Sequence, residues 1–125
     1  MKTLNLELLS KNIFNDILNG SQGQTYANNG NVHKETNGFF VGIFGFSVPK
    51  MYFLNPKYPI LTLANQIANT FVVDSLNYIG SWVSNDVVYI DKVEWVENFD
   101  EAVKKGLKNN QIAIYDIENS KDINV

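Results

Sequence analysis

The chain of 125 residues has no cysteine, no arginine and a single histidine. Each absence closes a class of chemistry. Without cysteine there can be no disulfide, thiolate metal site or cysteine nucleophile. Without arginine the chain lacks the planar fork that grips phosphate or guanine at two points. Its ten basic residues are all lysine, set against 13 acidic ones, for a net charge of −3 and an isoelectric point near 5.0. That balance argues against direct nucleic-acid binding, because affinity there grows with the number of phosphates neutralised. Long apolar runs are lacking too. The first twenty residues interrupt theirs with Glu7, Lys11 and Asp16, unlike a signal peptide, and no segment reaches the ~18 apolar residues of a membrane helix. A cytoplasmic protein without membrane contact is the expectation.

What is present suffices for a core. Hydrophobic residues make up 45% and aromatic residues 13% of the chain, which excludes a disordered tail. A chain of this length buries roughly two thirds of its unfolded surface and needs no metal staple. It is the size of one domain, and no linker, repeat or composition shift divides residues 1–125.

Periodicity gives the elements. Leu6, Leu9, Ile13 and Ile17, widened by Leu8 and Phe14, predict an amphipathic helix over the first eighteen residues, stopped at Asn19-Gly20. Residues 20–38, rich in Gly and Asn, read as loop with a short strand at Gln24–Ala27. Phe39–Val48 is a β-type run, apolar on both faces, and is either a central strand or a strand bent at Gly42 and Gly45. Pro49, Pro56 and Pro59 bracket an extended connector, with Pro59 placed to open a helix to Ser75. The expected stripe of that helix is Leu61, Ala64, Ile67, Ala68, Phe71 and Val72. Strands at 78–83 and 87–96 flank a tight turn at Ser84-Asn85-Asp86. Asn98 with Glu101 forms a capping box for a helix from Phe99 to about Asn109, burying Phe99, Ala102, Val103 and Leu107. A last strand carries Ile112 and Ile114 on one side, and Ala113, Tyr115 and Ile117 on the other. The order α–β–β–α–β–β–α–β predicts an α+β domain: a mainly antiparallel sheet with two to three helices packed on one face.

Candidate chemistry is sparse. His33 stands alone in a loop, with no second histidine for a zinc site. Glu35 two residues on would permit an acid–base pair, but a solvated loop histidine is the expected reading. Gly42 and Gly45 lack the order of a phosphate loop, and Ser47, Ser81 and Ser84 lack a nucleophile elbow. No metal, cofactor or catalytic set is expected. Carboxylates are more informative. Asp86, Asp91, Glu94, Glu97, Asp100 and Glu101 fall within sixteen residues, offset by Lys92 alone. Period-two alternation puts Asp91 on the face of Val87, Tyr89, Val93 and Trp95. There it is either a hydrogen-bonded structural acid, the favoured reading, or a desolvated one. Tyr78, Trp82, Tyr89, Trp95 and Tyr115 make an aromatic sheet, expected to pack as core.

The segments YIGSWV, VYID, the helix with Ala102 and NNQIAIYDI resemble small proteins encoded by phages, plasmids and integrated elements. GQT at Gly23–Thr25, GFFVG at Gly38–Gly42 and AIYDI at Ala113–Ile117 match the same pattern, which spans residues 23–119. The resemblance implies a mobile-element origin and brings no catalytic motif. The leading expectation is a non-enzymatic accessory protein acting by protein–protein contact, in its most concrete form an inhibitor of a host defence system such as a CRISPR effector. Asp86, Glu94, Glu97, Asp100 and Glu101 would face a basic surface on the partner. The alternative is a small-molecule-binding protein or small enzyme with an aromatic pocket of Tyr89, Asp91, Trp95 and Tyr115, in which Asp116 could replace Asp91 as the polar group. A structural or assembly subunit, including a homo-oligomer, is the third reading.

Overall fold

A computed structural model describes residues 5–54, 60–72 and 75–125. The elements in chain order are α1 (Leu6–Leu18), β1 (Gly23–Ala27), β2 (Phe39–Pro49), α2 (Lys50–Leu54), α3 (Ile60–Thr70), β3 (Tyr78–Ser84), β4 (Val87–Val96), α4 (Phe99–Lys108), β5 (Ala113–Asp116) and β6 (Lys121–Asn124). The strands form one antiparallel six-stranded sheet in the order β1-β3-β4-β2-β5-β6. The α+β architecture is as the sequence predicts.

Local chemistry explains where the elements stop. Asn5 caps α1 by accepting the Leu8 N–H, and Asn98 caps α4 by accepting that of Glu101. Both helices end in a Schellman motif. Gly20 (φ 88°) and Asn110 (φ 57°) take the left-handed position, and the N–H groups of Ser21 and Gln111 reach back to the carbonyls of Asp16 and Gly106. The β3–β4 hairpin closes through Asn85 (φ 51°) and Asp86 (φ 63°). Two consecutive positive φ values are the signature of a type I′ turn, whose twist matches that of the strands it joins.

Side-chain parity divides the sheet into two unlike faces. Ile79 and Val83 of β3, Val88 and Ile90 of β4, and Phe46 and Val48 of β2 meet Leu9, Ile13, Phe14 and Ile17 of α1 and Leu63 and Ile67 of α3. Farther along the same face, Val41, Val96 and Ile114 receive Ala102 of α4. Among the described residues the opposite face carries no helix.

Several elements depart from the sequence expectation. The connector after Pro49 includes the short helix α2, because Phe53 turns inward to meet Phe14 with ring centroids 4.8 Å apart. Pro56 and Pro59 lie outside the described residues. In α3 the buried side is Leu63, Ala64 and Ile67, leaving Leu61 and Ala68 exposed. Apolar residues lie on two sides of that helix, and packing against α1 selects between them. In α4 the small residues Ala102 and Gly106 are buried, while Phe99 and Leu107 are exposed. A Cβ on Gly106 would stand 3.0 Å from Ile114 Cγ2, so the helix approaches the sheet on its small residues and its large ones are pushed to the flanks. Ile112 precedes β5 and is exposed. β6, with Ile123 as its one apolar residue, forms by pairing with β5.

Between Gly42 and Phe44 the β2–β4 register shifts, so Ile43 is the extra residue of a β-bulge. The bulge reverses which β2 residues point their backbone groups toward β4.

Candidate functional site

The helix-free face is built by alternate residues of five strands. Its rows are Thr25–Gly80–Asp91–Gly45 and Gly23–Trp82–Tyr89–Ser47, read across β1, β3, β4 and β2. Toward the other end lie Ala27–Tyr78–Val93 and then Trp95–Phe40–Tyr115, the last crossing β4, β2 and β5. All five aromatic residues singled out in the sequence are therefore on one face, and it is the face without helices.

One half of this face is closed over. Phe40, Val93 and Ile117 are buried together with Tyr78, Trp95 and Tyr115 around them. Residues 31–38 fold across that cluster on three side-chain contacts. His33 stands edge-on to Phe40 at 4.7 Å, the Tyr78 hydroxyl donates to Glu35, and Trp95 Nε1 donates to the Asn37 carbonyl at 2.8 Å. His33 is half-buried, which corrects the expectation of a solvated loop residue. Burial lowers its pKa, opposed by the charge of Glu35. Its Nδ1 accepts the backbone N–H of Glu35, whose carboxylate is engaged by Tyr78. The His33–Glu35 carboxylate pair considered from the sequence is thus not formed. Tyr78 is pushed up to about 12, first by burial and then by its hydrogen bond to Glu35.

The other half is open. Trp82, expected as core, is 47% exposed, and its ring lies 5.2 Å from that of Tyr89. Beside this pair sits Asp91, half-buried on the central strand. Its lateral neighbours are both glycines, Gly45 on β2 and Gly80 on β3, so no side chain covers it from either side. Residues two apart on a strand stand about 6.6–6.8 Å apart. The Asp91 row is therefore a trough one side chain wide, with the Trp82–Tyr89 pair as one wall and Tyr78 with Val93 as the other. The hydrogen bond favoured for Asp91 from the sequence is absent among the described residues. Burial alone raises its pKa, with no hydrogen bond or neighbouring charge contributing.

No family model matches the chain, and no curated protein or solved structure matches it either.

The pocket expected from Tyr89, Asp91, Trp95 and Tyr115 separates into two places: Tyr89 and Asp91 in the open trough, Trp95 and Tyr115 in the closed cluster. A cavity of about 610 Å³ lies elsewhere, where β4 continues past the start of β3. It is lined by Asn28, Ser75, Asn77, Tyr78, Lys92, Glu94 and Trp95 among others, and takes in only Trp95 of the expected set. Asp116 is occupied: it accepts from the Asn119 side chain at 2.8 Å and from the Asn119 backbone, and its pKa is lowered chiefly by that side-chain bond.

The acidic residues also divide. Asp86 is in the hairpin turn, and its carbonyl accepts the Lys50 N–H. Glu97, Asp100 and Glu101 begin α4 at the other end of the ten-residue β4, roughly 33 Å away at the usual rise per residue. Glu97 and Glu101 line one shallow depression with Asn98. Glu94 is on the helix-bearing face in an ion pair with Lys105 at 2.6 Å. Apart from Asp91 in the trough, segment 86–101 is thus two separated acidic points and one ion pair.

No helix among the described residues is long and apolar enough to cross a membrane.

Proposed function

We propose that this chain is a non-enzymatic, cytoplasmic binding protein that acts by contact with a basic surface of another protein. The open half-face takes a lysine or arginine side chain, with Asp91 as its counter-charge and Trp82 as its apolar anchor. One observation carries the reading: Asp91 is half-buried, lacks a hydrogen-bond partner among the described residues, and lies beside the exposed Trp82 and its ring neighbour Tyr89. A desolvated carboxylate gains more from an incoming cation than a solvated one does. Aromatic faces attract the same cations, and tryptophan is prominent among residues that dominate binding energy. Glu97, Asp100 and Glu101 steer a basic partner from a distance. The finer reading is an accessory protein of a phage or mobile element that inhibits a host defence effector, a CRISPR nuclease among them. The resemblance over residues 23–119 supports it.

The test is capture of a partner from host lysate, followed by affinity measurement with variants. Trp82→Ala and Asp91→Asn each weaken binding by about tenfold or more, as for a hot-spot residue, while the fold persists. Reversal of Glu97, Asp100 and Glu101 to lysine slows association and flattens its salt dependence. Affinity indifferent to Trp82 and Asp91 would sink the proposal. A second reading, a small-molecule-binding protein or small enzyme, draws on the same unpartnered carboxylate. A metabolite-induced rise in Tm, lost in Asp91→Asn, would select it instead.

A further inference from the structure

Two kinds of cationic side chain could enter the open trough, and the surroundings of Asp91 discriminate between them. The carboxylate does not stand upright on the sheet. A Cβ built on Gly45 would lie 2.4 Å from Asp91 Oδ1, so the group leans from β4 toward β2 and takes up the space over that glycine. On the other flank, a Cβ built on Gly80 would meet Val93 Cγ2 at 3.0 Å, and this methyl group narrows the trough there. Gly45 is exposed, so a cation meets the carboxylate over Gly45.

A second acceptor is close to that point. Ser47, two residues along β2 on the same face, is opposite Tyr89 and diagonal to Asp91, at a usual Cα separation of about 7–8 Å. It is exposed, and its hydroxyl makes no hydrogen bond among the described residues. Tyr89 stands beside both, and the Trp82 ring continues its surface at 5.2 Å.

These features suit a guanidinium better than an ammonium. The lysine ammonium is a compact, strongly hydrated point charge, which must shed water to reach a half-buried carboxylate. A guanidinium is planar and weakly hydrated, stacks on aromatic faces and carries five donors in a fixed fork. One edge can therefore serve Asp91 while another donor serves Ser47. Composition agrees. All ten basic residues of the chain are lysine, so a trough that discriminates against lysine is not filled by other copies of the same protein.

Resting on the reading of the trough as a seat for a basic side chain, we infer that its occupant is an arginine of the partner protein. The guanidinium lies over Gly45, charge-paired to Asp91, hydrogen-bonded to the Ser47 hydroxyl and stacked on the Tyr89–Trp82 pair. Asp91 then sets affinity for a cation, and Ser47 sets the preference for arginine.

The test is nuclear magnetic resonance titration of the isotope-labelled full chain with blocked peptides Gly-Gly-X-Gly-Gly, where X is arginine, lysine or citrulline. Citrulline keeps the shape of arginine without its charge. The Trp82 indole N–H reports on the trough, and that of Trp95, bonded to the Asn37 carbonyl in the closed half, is the internal control. The arginine peptide is expected to move the Trp82 signal saturably and leave the Trp95 signal in place. Its Kd should be about fivefold below that of the lysine peptide, the usual worth of one added hydrogen bond. The citrulline peptide should give no saturable shift. Ser47→Ala should bring the two affinities together by weakening arginine alone, whereas a merely structural Ser47 would change both or neither. Equal affinity for the two cationic peptides, or tighter binding of lysine, overturns the inference and leaves the basic-partner reading standing. So does an arginine preference that Ser47→Ala leaves unchanged. A Trp82 signal moved by neither cationic peptide overturns the reading of the trough as well.

Discussion

Gly45 lies against Asp91 so closely that a Cβ at position 45 would stand 2.4 Å from Asp91 Oδ1 and 1.9 Å from the Ile90 carbonyl oxygen. The second contact is with backbone, which cannot rotate aside. The glycine thus permits β2 and β4 to pair while Asp91 stays uncovered. Gly45→Ala is expected to cost about 1–3 kcal/mol, the usual range for overpacking. Gly80→Ala, whose Cβ would meet Val93 Cγ2 at 3.0 Å, costs less because a side-chain methyl can move. Urea denaturation of both variants at one protein concentration gives the comparison, and equal losses would contradict it.

That glycine pair was only half legible in the sequence. Alternation in VVYIDKVEWV placed Asp91 on the aromatic face, and the structure agrees, because a period of two holds wherever a strand is regular. The stops at Asn19-Gly20 and Asn109-Asn110 and the turn at Asn85-Asp86 were also readable, since left-handed positions select Asn, Asp and Gly. Which face the helices cover was not readable: both faces of β2 are apolar, and the choice depends on contacts with α1 and α3, distant in sequence. Hence Trp82 was expected in the core and is exposed. The fold of residues 31–38 over Phe40 depends on His33, Glu35 and Asn37 meeting three strands, and leaves no periodic trace. The division of the acidic segment, in contrast, was already implied by a ten-residue strand, because extended backbone separates what sequence proximity joins.

Asp91→Asn should stabilise the protein at neutral pH. Burial raises the folded pKa of Asp91 above the ordinary 3.8, so the folded state holds this proton more tightly than the unfolded state. Its contribution is most favourable below the unfolded pKa and is lost as pH rises through the folded one. At pH 7 the full penalty of the buried charge applies, and the neutral asparagine escapes it. The Tm of Asp91→Asn should exceed that of wild type at pH 7, and the gain should shrink as pH falls toward 3.8. A lower Tm at pH 7 would mean that the carboxylate has a partner in the native state.

The phenols report on both faces of the sheet, Tyr78 on the closed cluster and Tyr26 on the helix-bearing core. Tyr78 is raised from 10.0 to about 12 by burial and Glu35. Tyr26, which donates to Asp16, is raised as well, first by burial. A tyrosine with a raised folded pKa contributes stability that is present below pH 10 and is lost as pH climbs through the folded value. Tyr78→Phe should cost about 1 kcal/mol at pH 8, the usual worth of one hydrogen bond, and the deficit should narrow between pH 10 and 12. Spectroscopic titration of phenolate should also lose one late-ionising group.

The hairpin turn separates a structural from a binding role for Asp86. With φ at 63°, this residue occupies a left-handed position that costs an L-residue roughly 1–2 kcal/mol, less for aspartate, whose short polar side chain bonds locally. Glycine has no Cβ and prefers the second position of a type I′ turn. Asp86→Gly is therefore expected to stabilise the protein by about 0.5–1 kcal/mol, while Asp86→Val destabilises it by as much or more. Since Asp86 lies beyond the Trp82–Tyr89 pair and far from Glu97, removing its charge should leave partner affinity within about twofold, as rim charges do. Thermal denaturation gives the first quantity and titration calorimetry with the captured partner the second. A tenfold loss of affinity in Asp86→Gly would show that the contact extends across the turn.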